Sequence, residues 1–356
     1  MAPQTDPTNR LDGYRMPPEW APHRGTWISW PHNPDTWPGC LDKVEASMLD
    51  VVAALGEFET VHINVLDSGQ ERYLEQRLAK RVARGSVQMH RIRTNDAWCR
   101  DHGAIFVVGG AGAETPLAAH KFGYNAWGGK YPPYDLDQAV AAQMAAALDV
   151  PCIEHAMILE GGSIDVNGEG TLLTTEQCLL NANRNPDLDR AMIEQELKDA
   201  FGIERIVWLG EGIQGDDTDG HIDEITRFVT AGTVITAIEP NRDDPNFIPL
   251  QANRQSLERV RLSDGTALEI IDLPMPEPVH YRGARLPASY ANFYIANDLV
   301  LVPEFGVAGD AAAAAVLADC FPGRHVVGID CRYLVAGLGG LHCLTQQVPV
   351  SDVRLS

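Results

Sequence analysis

The sequence predicts an α/β fold in which antiparallel hairpins accompany helical crossovers, and three observations point there. Apolar residues switch repeatedly between helix-like and strand-like spacing along the chain. Turn signals such as Asn167-Gly168 join strand-like runs, which makes hairpins too frequent for a purely parallel sheet. Polar clusters that end apolar runs recur at Asp101, Glu160, His221, Tyr290 and Cys343, a loose period of about sixty residues. Such a period suggests repeated supersecondary units, each of strands plus one helix, set around a centre where the polar clusters meet.

The elements follow in order. Residues 16–39 are rich in Trp (Trp20, Trp27, Trp30, Trp37) and Pro, exclude a regular helix, and predict one short strand within ordered loops. Residues 41–55 place Val44, Met48, Val51, Val52 and Leu55 at helical spacing and stop at Gly56. A strand at 61–66, a helix around 70–82, a strand at 104–108 and a helix at 136–148 come next. Strands within 164–175 fold about Asn167-Gly168. A helix at 187–200 precedes strands at 205–209, 222–229 and 234–238. A helix-poor excursion is expected over residues 239–285, and then a strand at 299–303, an Ala-rich helix from Ala311 and a strand at 325–329. No low-complexity linker divides the chain, so residues 1–356 are read as a single catalytic domain.

Composition narrows the functional classes. The 356 residues are 45% hydrophobic and 22% charged, as in folded soluble proteins. A formal charge of −21 removes the electrostatic footprint that nucleic acids or anionic membranes require, so neither is expected as a partner. The first ten residues lack an apolar core and predict no signal peptide, and no run approaches a membrane span. The seven cysteines form no CxxC pair and are odd in number, which fits reduced thiols in a cytoplasmic protein better than a disulfide framework.

Four motifs could carry chemistry. Gly339-Gly340-Leu341-His342-Cys343 lets the backbone turn just before a thiol, a setting for a nucleophile, although a lone Cys is more often a small buried hydrophobe. His221-Ile222-Asp223 would put a base and a carboxylate on one face of a strand, with a structural ion pair as the plain alternative. Asp101 stands beside Arg100 and His102 ahead of an apolar strand, and His102 is read as structural. Glu160 sits between a buried run and Gly161-Gly162. One thiolate with hard carboxylates is an odd metal set, and the chain has neither a phosphate-binding glycine loop nor a G-x-S-x-G elbow. A thiol, a histidine and several carboxylates suit an electrophilic carbon on a cation. Two carboxylates hold a planar guanidinium while the thiolate attacks its carbon and histidine protonates departing ammonia.

Ordered blocks along nearly the whole chain carry a family resemblance: Met16 to Trp20, Asp35 to Gly39, Asn95 to Gly103, Asn125 to Tyr131, Glu160 to Ser163, Asn181 to Pro186, Asp219 to Asp223 and His342 to Gln347. The sequence resembles bacterial and plant agmatine deiminases of the Porphyromonas-type peptidyl-arginine deiminase family. The resemblance implies a five-bladed, pseudo-fivefold α/β propeller of the guanidine-modifying type, in agreement with the sixty-residue spacing. It implies Cys343 as nucleophile, His221 as general acid and base, Asp101 and Asp223 as the guanidinium grip, and Glu160 as the acid that orients or charges the histidine. Trp98 and Asp217 match positions lining the pocket toward the substrate's distal amine. The implied reaction forms a covalent amidino-thioether on Cys343 and needs neither metal nor organic cofactor. It places the protein in polyamine synthesis, and the family suggests a homo-oligomer.

Three departures stand out. The family's Gly-Asn-Ile-His-Cys reads Gly339-Gly340-Leu341-His342-Cys343 here, its Glu-Gly-Gly-Ser-Ile-His ends in Asp165, and its Pro after Arg-Asp-x-Gly is Ala104. Deimination of another guanidine, such as free or peptidyl arginine, and non-catalytic binding of guanidines or polyamines are the alternative functions.

Overall fold

The computed structural model describes residues 13–110 and 116–351; the signal-peptide reading of the first ten residues lies outside them. Five sheets share one plan: two antiparallel strands, then a helix that returns the chain to a third strand parallel to the second. Strands Ile105–Gly109 and Leu117–Gly123 pair antiparallel, and helix Val140–Leu148 leads to Cys152–Ile158, parallel to the second strand. Asp165–Val166 and Thr171–Thr175 form the next hairpin, followed by helix Arg190–Phe201 and Arg205–Leu209. Thr226–Thr230 and Thr233–Ile238 come third, with helix Phe247–Glu258 and Glu269–Pro274. Tyr294–Ala296 and Leu299–Glu304 come fourth, with helix Asp310–Cys320 and His325–Asp330. In the fifth, Thr345–Pro349 pairs antiparallel with His23–Ser29, and helix Leu41–Leu55 leads on to Thr60–Asn64. The repeat of about sixty residues is therefore the length of one hairpin–helix–strand unit. The described sheets are separate and none closes on itself.

Local chemistry accounts for the element ends. Helix Leu41–Leu55 buries Val44, Met48, Val51, Val52 and Leu55, the stripe its periodicity predicts. Asp189 caps helix Arg190–Phe201 by accepting from the Met192 amide, and Gly202 ends it in the left-handed region. The hairpin at Asn167 is a four-residue loop, in which Asn167 Oδ1 accepts from the amides of Glu169 and Thr171. Within residues 16–39 one strand forms, His23–Ser29, as expected.

Two expectations are corrected. Residues 239–285 contain the twelve-residue helix Phe247–Glu258 and three strands, Glu269–Pro274, His280–Tyr281 and Ala284–Arg285. Pro249 sits in that helix's first turn, where a missing N–H costs nothing. Residues 222–229 are not one strand: a 3₁₀ turn, Ile222–Glu224, precedes Thr226–Thr230. The largest buried cluster runs from Trp30 and Trp37 through helix Leu41–Leu55 to the Tyr294–Glu304 hairpin, so it lies between the fifth and fourth units. All seven cysteines are free, and no described helix is long and apolar enough to cross a membrane.

Candidate active site

Each unit contributes the turn just ahead of its first hairpin strand. The helical turn Cys99–His102 carries Asp101, Gly161–Ser163 follows Glu160, and Ile222–Glu224 follows His221 and carries Asp223. Tyr290–Asn292 is the fourth turn, and residues 341–344 with Cys343 are the fifth. The first three turns meet at Gly162; the fifth joins them through Cys343 Sγ, 3.6 Å from Asp223 Oδ2, and the fourth through Asn292, which donates to that sulfur. A Cβ built there would lie 2.6 Å from His221 Nδ1, 2.8 Å from Asp101 Oδ1 and 3.0 Å from Asp223 Oδ2. His221 and Asp223 thus face one site, as the sequence suggests, but the 3₁₀ turn brings them there rather than strand alternation.

Asp101 accepts from the Gly162 amide and from Trp127 Nε1, each at 3.0 Å. Burial raises its carboxyl to about 6, and the neighbouring Asp223 and Glu160 charges add to burial against the pull of His221. Burial opposes a charge on His221, yet Asp101, Cys178 and Asp223 outweigh it and hold its pKa well above the ordinary range. Its Nδ1 lies 3.8 Å from Asp101 Oδ1, too long for a hydrogen bond. Burial would also raise Asp223, but the His342 hydrogen bond and charge dominate and keep its carboxyl low. The Cys343 thiol is driven well above its usual value by burial and then by Asp223, Glu224 and Asp101. A cation placed between Asp101 and Asp223 would cancel that last group of causes and favour the thiolate.

Asp101, Trp98 and Cys343, each 4% exposed, reach a cavity of about 730 Å³. His221, Asp223 and Glu160 are wholly buried beside it. Trp98 packs tilted against Trp37, ring centroids 5.4 Å apart, and lies against the Gly339 backbone, which leaves no room for a side chain there. Asp217 stands in the cavity wall and accepts from the Tyr131 hydroxyl. Glu160 Oε1 accepts from Arg184 Nε at 2.8 Å, while its Oε2 makes no hydrogen bond to a described residue. His102 is structural, as expected, with Nε2 2.9 Å from Ser29 Oγ.

Several residues at the site were not among the candidates singled out from the sequence, although His342 and Glu19 lie within the blocks that carry the family resemblance. His342 Nδ1 lies 2.6 Å from Asp223 Oδ2 and its Nε2 lies 2.8 Å from Glu19 Oε2. Burial favours the acid form of Glu19, but Arg227, His342 and Arg100 hold its carboxyl well below the usual range. Asn292 Nδ2 donates to Cys343 Sγ at 3.2 Å, and its Oδ1 accepts the His342 amide at 2.9 Å. Among the described residues two buried triads have metal-ligand spacing, Glu160–Cys178–His221 and Asp223–Glu224–Cys343, each with ligand atoms within 4.8 Å of one another. Arg184 already occupies Glu160, and both sets mix hard carboxylates with a thiol.

The sequence pattern of the Porphyromonas-type peptidyl-arginine deiminases matches residues 15–349. The chain belongs to that family. An agmatine deiminase of Ectopseudomonas mendocina is 38% identical over 368 residues, covering 96% of this chain and 97% of its own. The agmatine deiminase of Enterococcus faecalis superposes with a TM-score of 0.88 at 32% identity, over 95% of this chain and 96% of that one. A Cys-to-Ser variant of C. jejuni agmatine deiminase, with substrate bound, gives 0.84 at 33% identity over 94% and 96%. These neighbours share the mixed α/β, guanidine-modifying fold.

Within this Porphyromonas-type deiminase, two departures from the family pattern acquire partners. The amide absent at Gly340 is supplied to the thiol by Asn292, whose Oδ1 occupies the space a Gly340 side chain would take. Asp165 accepts from Arg227 Nε and from the Phe228 amide, so its added charge is met by a buried guanidinium.

Proposed function

We propose that this protein is an agmatine deiminase, which hydrolyses agmatine to N-carbamoylputrescine and ammonia within polyamine synthesis. One observation carries the reading: a thiol, an imidazole and two carboxylates from three different units gather beside the Gly162 turn of a fourth, next to an acidic cavity. The guanidinium lies between Asp101 and Asp223, which accept its N–H groups in pairs. Cys343 thiolate adds to the central carbon, and protonated His221 gives its proton to the departing ammonia, leaving an amidino-thioether. Neutral His221 then activates water, which releases the ureido product. Glu160, fixed by Arg184, lies against Cys178 and His221 and favours the imidazolium.

Trp98 and Asp217 form the wall toward the distal amine, and the lining suits a cation at both ends. Lys130 is the lysine in that lining, and its ammonium is 2.9 Å from Asp219, so it is committed and leaves no partner for an arginine α-carboxylate. We also infer that the five units are set radially as a propeller, in a single-domain, cytoplasmic homo-oligomer. The shared unit plan and the meeting of one turn from each unit support the radial arrangement.

The test is ammonia release from agmatine, arginine, a C-terminal-arginine peptide and simple alkylguanidines, with Cys343→Ala as control. Release confined to agmatine and abolished in the control is expected. Release only from another guanidine overturns the substrate, and full activity of Cys343→Ala overturns the mechanism.

A further inference from the structure

The mechanism so far leaves one question: where the proton of a thiol buried among carboxylates goes. Glu224 is 2% exposed, at the end of the 3₁₀ turn that carries Asp223, and its role is unassigned by the steps above. Its Oε1 lies 3.8 Å from Cys343 Sγ, and its Oε2 has no hydrogen-bond partner among the described residues. An unpartnered, buried carboxyl oxygen costs free energy unless the carboxyl gains a proton or a donor. We propose that Glu224 is a further catalytic residue, which takes the proton of the Cys343 thiol as the thiolate attacks and returns it when the sulfur leaves. This rests on the reading of Cys343 as the nucleophile of a guanidine deiminase.

Asp223 is the rival acceptor, and its Oδ2 is nearer the sulfur at 3.6 Å. That oxygen is already bound to His342 Nδ1 at 2.6 Å, and His342 is braced from behind by Glu19. Protonating Asp223 would break this chain and remove the charge that grips the substrate. Glu224 has no such commitment: burial first, then the charges of Asp223 and Asp216, raise its affinity for a proton well above the ordinary range, which makes its carboxylate the stronger base, while His221 and the bound guanidinium cation favour that carboxylate form before the attack. The groups facing it are Asp223 and His221 from its own turn, Asp216 from the preceding loop and Cys343 from the last turn. Asn292 Nδ2 reaches the sulfur at 3.2 Å, and Ser289 Oγ fixes the Glu224 carbonyl at 2.8 Å.

The steps balance. In the first half the S–H bond breaks, its proton bonds to Glu224 Oε1, and the sulfur lone pair forms the S–C bond as a C–N π pair moves to nitrogen. The C–N bond to ammonia breaks after His221 protonates that nitrogen. In the second half water adds to carbon and gives one proton to His221. The C–S bond then breaks, sulfur keeps the electron pair and recovers the Glu224 proton, and the oxygen's remaining proton passes through solvent to the released ammonia.

The experiment compares the unaltered enzyme with Glu224→Gln and Glu224→Asp. It measures kcat/KM for agmatine between pH 6.5 and 9.5, as a range of about three units, and the rate of Cys343 alkylation by iodoacetamide over the same range. In the Gln variant the thiol must lose its proton to solvent. Its kcat/KM at pH 7 is therefore expected to fall about 100-fold or more and then climb roughly tenfold per pH unit, where the unaltered enzyme is flat. Alkylation should follow the same curve, and Asp should restore part of both. Unchanged rates, or a loss equal at every pH, overturn the proposal; should the Gln variant fail to fold, the Asp variant's profile is judged by the same criterion. If the unaltered enzyme releases no ammonia and Cys343 resists alkylation, the nucleophile reading fails, and the proposal with it.

Discussion

Replacing Gly162 by Ala tests whether the catalytic groups act as one placed constellation. The added methyl carbon would stand 2.6 Å from His221 Nδ1, 2.8 Å from Asp101 Oδ1 and 3.0 Å from Asp223 Oδ2. Ordinary contact for such a carbon begins at 3.4 Å. His221 must therefore retreat by about 0.8 Å and the carboxylates by about half an ångström, and all three are buried with nowhere to swing. The backbone itself accepts Ala, because Gly162 is not among the residues at positive φ, and its amide can still donate to Asp101. Misplacement on this scale costs about 100-fold in rate, so kcat should fall by that factor or more while agmatine still binds. Overpacking should cost about 1–3 kcal/mol, a few degrees in thermal midpoint. Steady-state kinetics with agmatine beside a melting curve reads both. A folded Gly162→Ala enzyme with unaltered kcat would refute the idea that these three groups share the reacting centre.

Two further predictions follow from the charges. In the proposed mechanism Asp101 grips as a carboxylate, the form present above its raised value of about 6, so kcat/KM should be retained above that pH and fall roughly tenfold per unit below it. Asp101→Asn should remove this acid limb and leave a low, flat profile; a wild-type rate constant down to about pH 5 would contradict the assignment. Asp165→Ala leaves Arg227 buried with Glu19 Oε1 at 2.9 Å as its remaining carboxylate partner, and should destabilise the fold by roughly 3 kcal/mol. The thermal midpoint should drop by several degrees and recover in part when Arg227→Met is added; an unchanged midpoint argues against a structural pair.

The sixty-residue spacing was readable because each unit ends its chain reversal with one polar turn before a hairpin strand, and apolar runs frame those turns. Asp101, Glu160, His221 and Cys343 could be found this way. Glu224 could not, because on a strand it would face away from Asp223, and only the 3₁₀ turn aims both at the sulfur. Glu19, though inside the Met16 to Trp20 block, and Asn292 could not be given a role either, since their partners lie far along the chain. The helix Phe247–Glu258 escaped because Pro249 and the polar residues before it read as loop punctuation. Short strands such as Tyr14–Arg15 and Val87–His90 have too few residues to establish a period.

The fifth unit is stitched from both ends of the described chain: Thr345–Pro349 lies against His23–Ser29. A chain emerging from the ribosome folds from its beginning, so His23–Ser29 waits beside its parallel neighbour Thr60–Asn64 with one edge open. The segment that closes this edge immediately follows Cys343. Birth of the proposed nucleophile and closure of the fold are therefore the same late event, and a prematurely terminated polypeptide is left without Cys343 and with an unpaired edge that marks it for aggregation or removal.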